Sequence, residues 1–121
     1  MSYGPVLLVS RNTVAATVSI ALATEFPGFP AKGVWRSVNF FVQTANGANT
    51  PDHDFSVRWF PPGGNTAIIA SATNITGDTL TQLVLQSEFS GQNEAIPMPI
   101  DFRIVRTTGD VDVDLWAMFS R

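Results

Sequence analysis

The chain has 121 residues, a net charge of −3 and no cysteine. That length suits one domain with a sizeable core, read over residues 1–121, and the absence of cysteine excludes a disulfide framework or a thiolate metal site. Lys32 is the only lysine, and Arg11, Arg36, Arg58, Arg103, Arg106 and Arg121 are scattered, so no basic cluster marks a nucleic-acid footprint.

Val6–Ser10 reads as a first strand and Thr13–Ala23 as a second. In the second, Val14, Ala16, Val18, Ile20 and Leu22 alternate with Thr13, Ala15, Thr17, Ser19 and Ala21. The apolar part of this segment is about half the length a membrane span needs, and the N-terminus lacks the charged and apolar regions of a signal peptide. Phe26-Pro27-Gly28-Phe29-Pro30 is a loop, because two prolines fix φ and remove donors. Its two phenylalanines need burial. The third strand, Val34–Gln43, alternates Val38, Phe40 and Val42 with polar residues, a pattern that Trp35 and Phe41 interrupt. Residues 44–51 form a turn-rich loop around Asn46-Gly47.

The fourth strand, Asp54–Phe60, points Phe55, Val57 and Trp59 inward and Ser56 and Arg58 outward. Thr66–Thr73 is a fifth. Leu80–Gln86 is a sixth, or a short helical turn, since Leu80, Leu83 and Val84 also fit helical spacing. Ile96-Pro97-Met98-Pro99 leads into a seventh strand, Ile100–Arg106. A hairpin turn over Thr107–Asp110 then feeds the last strand, where Val111, Val113, Leu115, Ala117 and Phe119 alternate with Asp110, Asp112, Asp114 and Trp116. About eight short strands with Gly, Pro and Asn punctuation predict an all-β fold, an antiparallel β-sandwich of jelly-roll type.

No residue set points to catalysis. His53, the single histidine, reads as a solvated loop residue, and no Gly-x-Ser-x-Gly elbow accompanies it. Asp110, Asp112 and Asp114 lie about 7 Å apart in steps of two along a strand. They cannot converge on one calcium ion unaided and read as an acidic stripe that could pair with Arg103 or Arg106 across a hairpin. Asn74-Ile75-Thr76 matches a glycosylation acceptor, for which a turn is a sufficient reading. No catalytic residue, cofactor or metal ligand is assigned.

Binding is a different matter. Charged residues are 14% of the chain, against about 25% in an average soluble domain, and the mean hydropathy is positive. Some surface is therefore expected to be buried in an assembly. Trp116 and Trp35 stand on otherwise polar faces, so they mark a subunit interface, packing under a loop such as 26–30, or a sugar-stacking platform. The candidate interface residues are Trp35, Trp116, Phe26 and Phe29.

The chain also resembles small all-β virion proteins of tailed bacteriophages. The residues that carry this are Tyr3-Gly4-Pro5-Val6 before a small-residue strand, Gly33-Val34 through Phe40 before the 44–51 loop, and Ile96-Pro97-Met98-Pro99 before Phe102-Arg103-Ile104-Val105 and the closing strand. The resemblance implies a non-enzymatic capsid decoration or cement protein in the virion. It implies a homo-oligomer, a trimer above other states, bound to the major capsid protein or another virion protein, with no nucleic acid and no membrane as partner. A tail or fibre component, or a carbohydrate-binding sandwich that contacts the host surface, is the alternative.

Overall fold

A computed structural model describes residues 2–22, 37–46, 51–86 and 99–120. Eight strands run in chain order: β1 (Ser2–Val14), β2 (Val18–Ala21), β3 (Ser37–Asn46), β4 (Asp52–Trp59), β5 (Ala67–Ile75), β6 (Thr79–Leu85), β7 (Ile100–Thr108) and β8 (Val111–Ser120). All pair antiparallel, in one curled sheet of order β1-β8-β3-β6-β5-β4-β7-β2. The first strand meets the eighth, the second the seventh, the third the sixth and the fourth the fifth. That is the pairing of one long hairpin wound upon itself. Its two four-stranded halves join through a short ladder, Ala70 with Leu85 and Ser71 with Val84.

Alternation explains the core. Val111, Val113, Leu115, Ala117 and Phe119 are all buried, as the period-two pattern of β8 requires. They share one apolar cluster with Phe40 and Val42 of β3 and with Phe55, Val57, Phe102 and Ile104 of β4 and β7. Both halves of the sheet thus turn their apolar faces onto the same interior. Each fully buried side chain of this size contributes about 1.5–3 kcal/mol. Phe55 and Phe102 add an offset stack, 5.8 Å between centroids with planes 8° apart, worth about 0.5–1.5 kcal/mol more.

Several local expectations are changed or decided by the structure. The strand expected over Thr13–Ala23 is two strands. Thr13 has φ of 53° and donates its N–H to Asp112 Oδ1 at 2.7 Å, which closes β1. Ala16 then sits exposed in a bend before β2. Alternating alanines look like a continuous strand because nothing in their side chains records the turn. The hairpin expected at Thr107–Asp110 is not one, for β7 neighbours β4 and β2 while β8 neighbours β1 and β3. The connection crosses from one half of the sheet to the other. Leu80–Gln86, whose spacing fits a strand or a helical turn, is a strand over Thr79–Leu85. The third strand extends to Asn46, and the Val34–Arg36 part of its expected range lies outside the described residues.

Candidate functional site

The outer face of the β1-β8-β3-β6 half carries an unusual set of side chains. Register places Leu7 of β1 opposite Trp116 of β8, Trp116 opposite Phe41 of β3, and Phe41 opposite Gln82 of β6. Directly opposed residues share a face, so these four make one row across the half-sheet. A neighbouring row runs Ser10, Asp114, Gln43 and Leu80. On the other side of the Trp116 row, Met118 stands opposite Asn39, whose amide oxygen accepts from Gln82 Nε2 at 3.3 Å.

Between these rows lies an open groove of about 290 Å³, lined by Pro5, Phe41, Gln43, Leu80, Trp116 and Met118. Leu80 is 65% exposed and Val84, further along the same face of β6, 66%. Large aliphatic side chains this open on a sheet face lose hydration cost only when something covers them. Gln43 also borders a second hollow of about 280 Å³, whose walls include Ser10, Asn12, Thr44, Asp112 and Asp114. One strip therefore passes from apolar to acidic along β8.

Of the four residues expected at an interface, Trp116 lies in this groove, half-buried on β8. Trp35, Phe26 and Phe29 lie outside the described residues. Leu7, Leu80, Met118 and Pro5 were not singled out by sequence reasoning, although Phe41 was noted as breaking a polar face. Each is unremarkable in its own strand. Only cross-strand register makes them neighbours.

The acidic stripe does not pair with Arg103 or Arg106. Asp114 Oδ1 accepts from Ser10 Oγ at 2.6 Å and Asp112 Oδ1 from the Thr13 N–H, while Arg106 Nε donates to the Gly109 carbonyl at 2.7 Å. The reason is topological: β7 and β8 belong to different halves of the sheet.

His53 is likewise not a solvated loop residue. It lies on β4 with no exposed surface. Its Nε2 is 3.2 Å from the Val14 carbonyl oxygen, and its ring stacks on Phe55 at 6.2 Å with planes 18° apart. Among the described residues its buried Nδ1 has no hydrogen-bond partner. The contact with Val14 ties β4 to the end of β1 across the core.

A second buried polar arrangement joins β4, β7 and β2. Arg58 of β4 donates from Nε to Asp101 Oδ1 at 2.9 Å and from Nη2 to Oδ2 at 2.6 Å. The same Nη2 reaches Ser19 Oγ of β2 at 3.3 Å, and the guanidinium carbon lies 5.1 Å from the Phe60 ring centroid. Among the described residues no three His, Asp or Glu side chains gather as a metal site, and no helix is long and apolar enough to cross a membrane. Comparison of the chain with family models, with curated proteins and with solved structures finds no match.

Proposed function

We propose that this chain is a non-enzymatic structural protein of a virion, a capsid decoration subunit that docks through the outer face of its β1-β8-β3-β6 half. The observation that carries the reading is the exposed row around Trp116, with Leu7, Phe41, Leu80 and Met118 beside it. Three further points support it. Charge is low for a chain that must keep so much surface wet. The strand order is compatible with the jelly-roll winding that is common in capsid proteins. The sheet edges are also poorly suited to strand addition: β1 carries Pro5 and three register shifts, and β2 has four residues. A partner is then met by a face.

The mechanism in this reading is linkage. A subunit that binds only across neighbouring capsid proteins stabilises the assembled shell by mass action, and many symmetric copies make modest contacts strong in sum. A closed homo-oligomer, a trimer above other states, and the major capsid protein are the partners proposed. The amides of Gln43, Asn39 and Gln82 around Trp116 favour a second reading, a carbohydrate platform on a tail or host-contacting protein.

The test is solution mass by light scattering over a concentration series, together with co-sedimentation of the protein with heads purified from the virus that encodes it. The wild type is expected to form a closed oligomer and to sediment with heads, and Trp116→Ala to lose both while keeping its β-rich circular dichroism. A monomer that ignores heads, or a variant that behaves as wild type, refutes the assignment.

A further inference from the structure

The apolar groove and the acidic hollow share Gln43 and follow one another along β8, so an occupant that runs along this strand meets both. The side chains of the strip divide cleanly. At one end are Phe41, Leu80, Trp116 and Met118, and at the other Asp112 and Asp114. Among the described residues no cationic side chain lines the hollow. The nearby Arg11 reaches the Ser10 carbonyl with Nη1 at 3.5 Å. The bonds from Ser10 and Thr13 occupy one oxygen of each aspartate, and a carboxylate accepts at both.

Resting on the reading of this face as a protein-docking surface, we infer that its occupant is an extended basic–apolar segment of a partner protein. An aliphatic or aromatic side chain of that segment seats between Trp116 and Leu80, and a lysine or arginine two residues along reaches Asp114. Spacing supports this. Trp116 and Asp114 are two residues apart on one strand, about 7 Å, which is also the repeat of same-side residues in an extended partner. Charge supports it too, because Asp112 and Asp114 on one face of β8 have no cationic partner among the described residues, and a cation is their complement. A neutral glycan fits less well. Of the side chains in the groove itself, only Gln43 and the Trp116 indole N–H offer ordinary hydrogen bonds to hydroxyl groups.

The experiment uses the full chain, labelled with nitrogen-15, and two peptides, acetyl-Thr-Leu-Thr-Lys-Thr-Lys-amide and its counterpart with glutamate in place of lysine. Amide shifts are followed to millimolar peptide. The lysyl peptide is expected to move signals of β3, β6 and β8 and to bind at least about tenfold more tightly than the glutamyl one, a difference of about 1.4 kcal/mol. Added salt should weaken it. The variant Asp112→Asn/Asp114→Asn keeps an acceptor for Ser10 and Thr13, so its fold is retained, and it is expected to weaken the lysyl peptide at least fivefold, roughly 1 kcal/mol. Equal binding of the two peptides, an unchanged double variant, or no shift at millimolar peptide overturns the inference. A neutral oligosaccharide panel that shifts the same signals while both peptides are silent overturns it in favour of the sugar platform. Loss of head binding in Trp116→Ala with an indifferent aspartate variant would leave the docking face standing and remove only its cationic partner.

Discussion

The Arg58–Asp101 pair offers the sharpest test of how the β2 side of the sheet is held. The two residues are opposed on β4 and β7 and joined by two parallel hydrogen bonds, with side-chain exposures of 16% and 8%. Removing one partner of a fully buried pair costs about 3–5 kcal/mol. Here the guanidinium keeps the Ser19 hydroxyl, the Phe60 ring and a rim of solvent, so Asp101→Ala is expected to cost about 2–3 kcal/mol. Asp101→Asn keeps one acceptor and should cost about half as much. Replacing both, as Arg58→Met/Asp101→Leu, should come within about 1 kcal/mol of wild type, because no charge is then stranded. Arg58→Met and Asp101→Leu alone each strand the other charge and should cost about 2–3 kcal/mol, so the coupling energy of that cycle is about 3–5 kcal/mol. Hydrogen bonding to Asp101 raises the Arg58 pKa, burial lowers it, and the Asp101 charge raises it, with a net rise. A raised pKa gives stability that is present below the unfolded value and lost only as pH climbs through the folded one. Arginine lies so high that the cycle should be insensitive to pH across the neutral range. Urea denaturation at pH 7 measures it, and the exchange of β2 amides should quicken in Asp101→Ala, since Ser19 is held by the same arginine. A coupling energy near zero, or Asp101→Ala within about 0.5 kcal/mol of wild type, refutes the reasoning.

Three further outcomes follow from the same geometry. His53→Ala opens a cavity beside Phe55 and removes the donor to the Val14 carbonyl, so a loss of about 2–4 kcal/mol is expected in denaturant titration, whereas His53→Leu removes the same donor but fills the space and should lose about 1–2 kcal/mol. If the two variants lose equally, packing is not what the imidazole supplies. Gly4 has φ of 116°, and a Cβ there would lie 2.8 Å from the Ala117 carbonyl oxygen; Gly4→Ala is expected to cost about 1–3 kcal/mol, and a thermal midpoint unchanged from wild type would contradict the β1–β8 register. Leu80→Ser should leave monomer stability within about 0.5 kcal/mol but weaken self-association or head binding about five- to tenfold, through loss of roughly 1–1.4 kcal/mol of covered apolar surface. A large fall in monomer stability would mean that Leu80 belongs to the core.

The sequence by itself determined the all-β class, eight strands, and which side of most strands faces inward. These are local properties. A period of two in β8, or in Phe55 and Val57 of β4, puts every second side chain on one face whatever lies alongside. It also marked Trp116 as an aromatic on a polar face. Tertiary structure alone decided which strands are neighbours. Gly109 marks a turn equally well whether the chain returns beside itself or crosses to the other half of the sheet, so the placement of Asp112 and Asp114 against Ser10 and Thr13 rather than against arginine was not legible. His53 sits between two aspartates in sequence, and only the packing of β4 against the end of β1 seals its ring from solvent. The exposed apolar row has the same origin. Leu7, Phe41, Leu80 and Trp116 come from four strands, and they form one surface because long-range hydrogen-bond register, a sum over the whole winding, aligns them in adjacent rows.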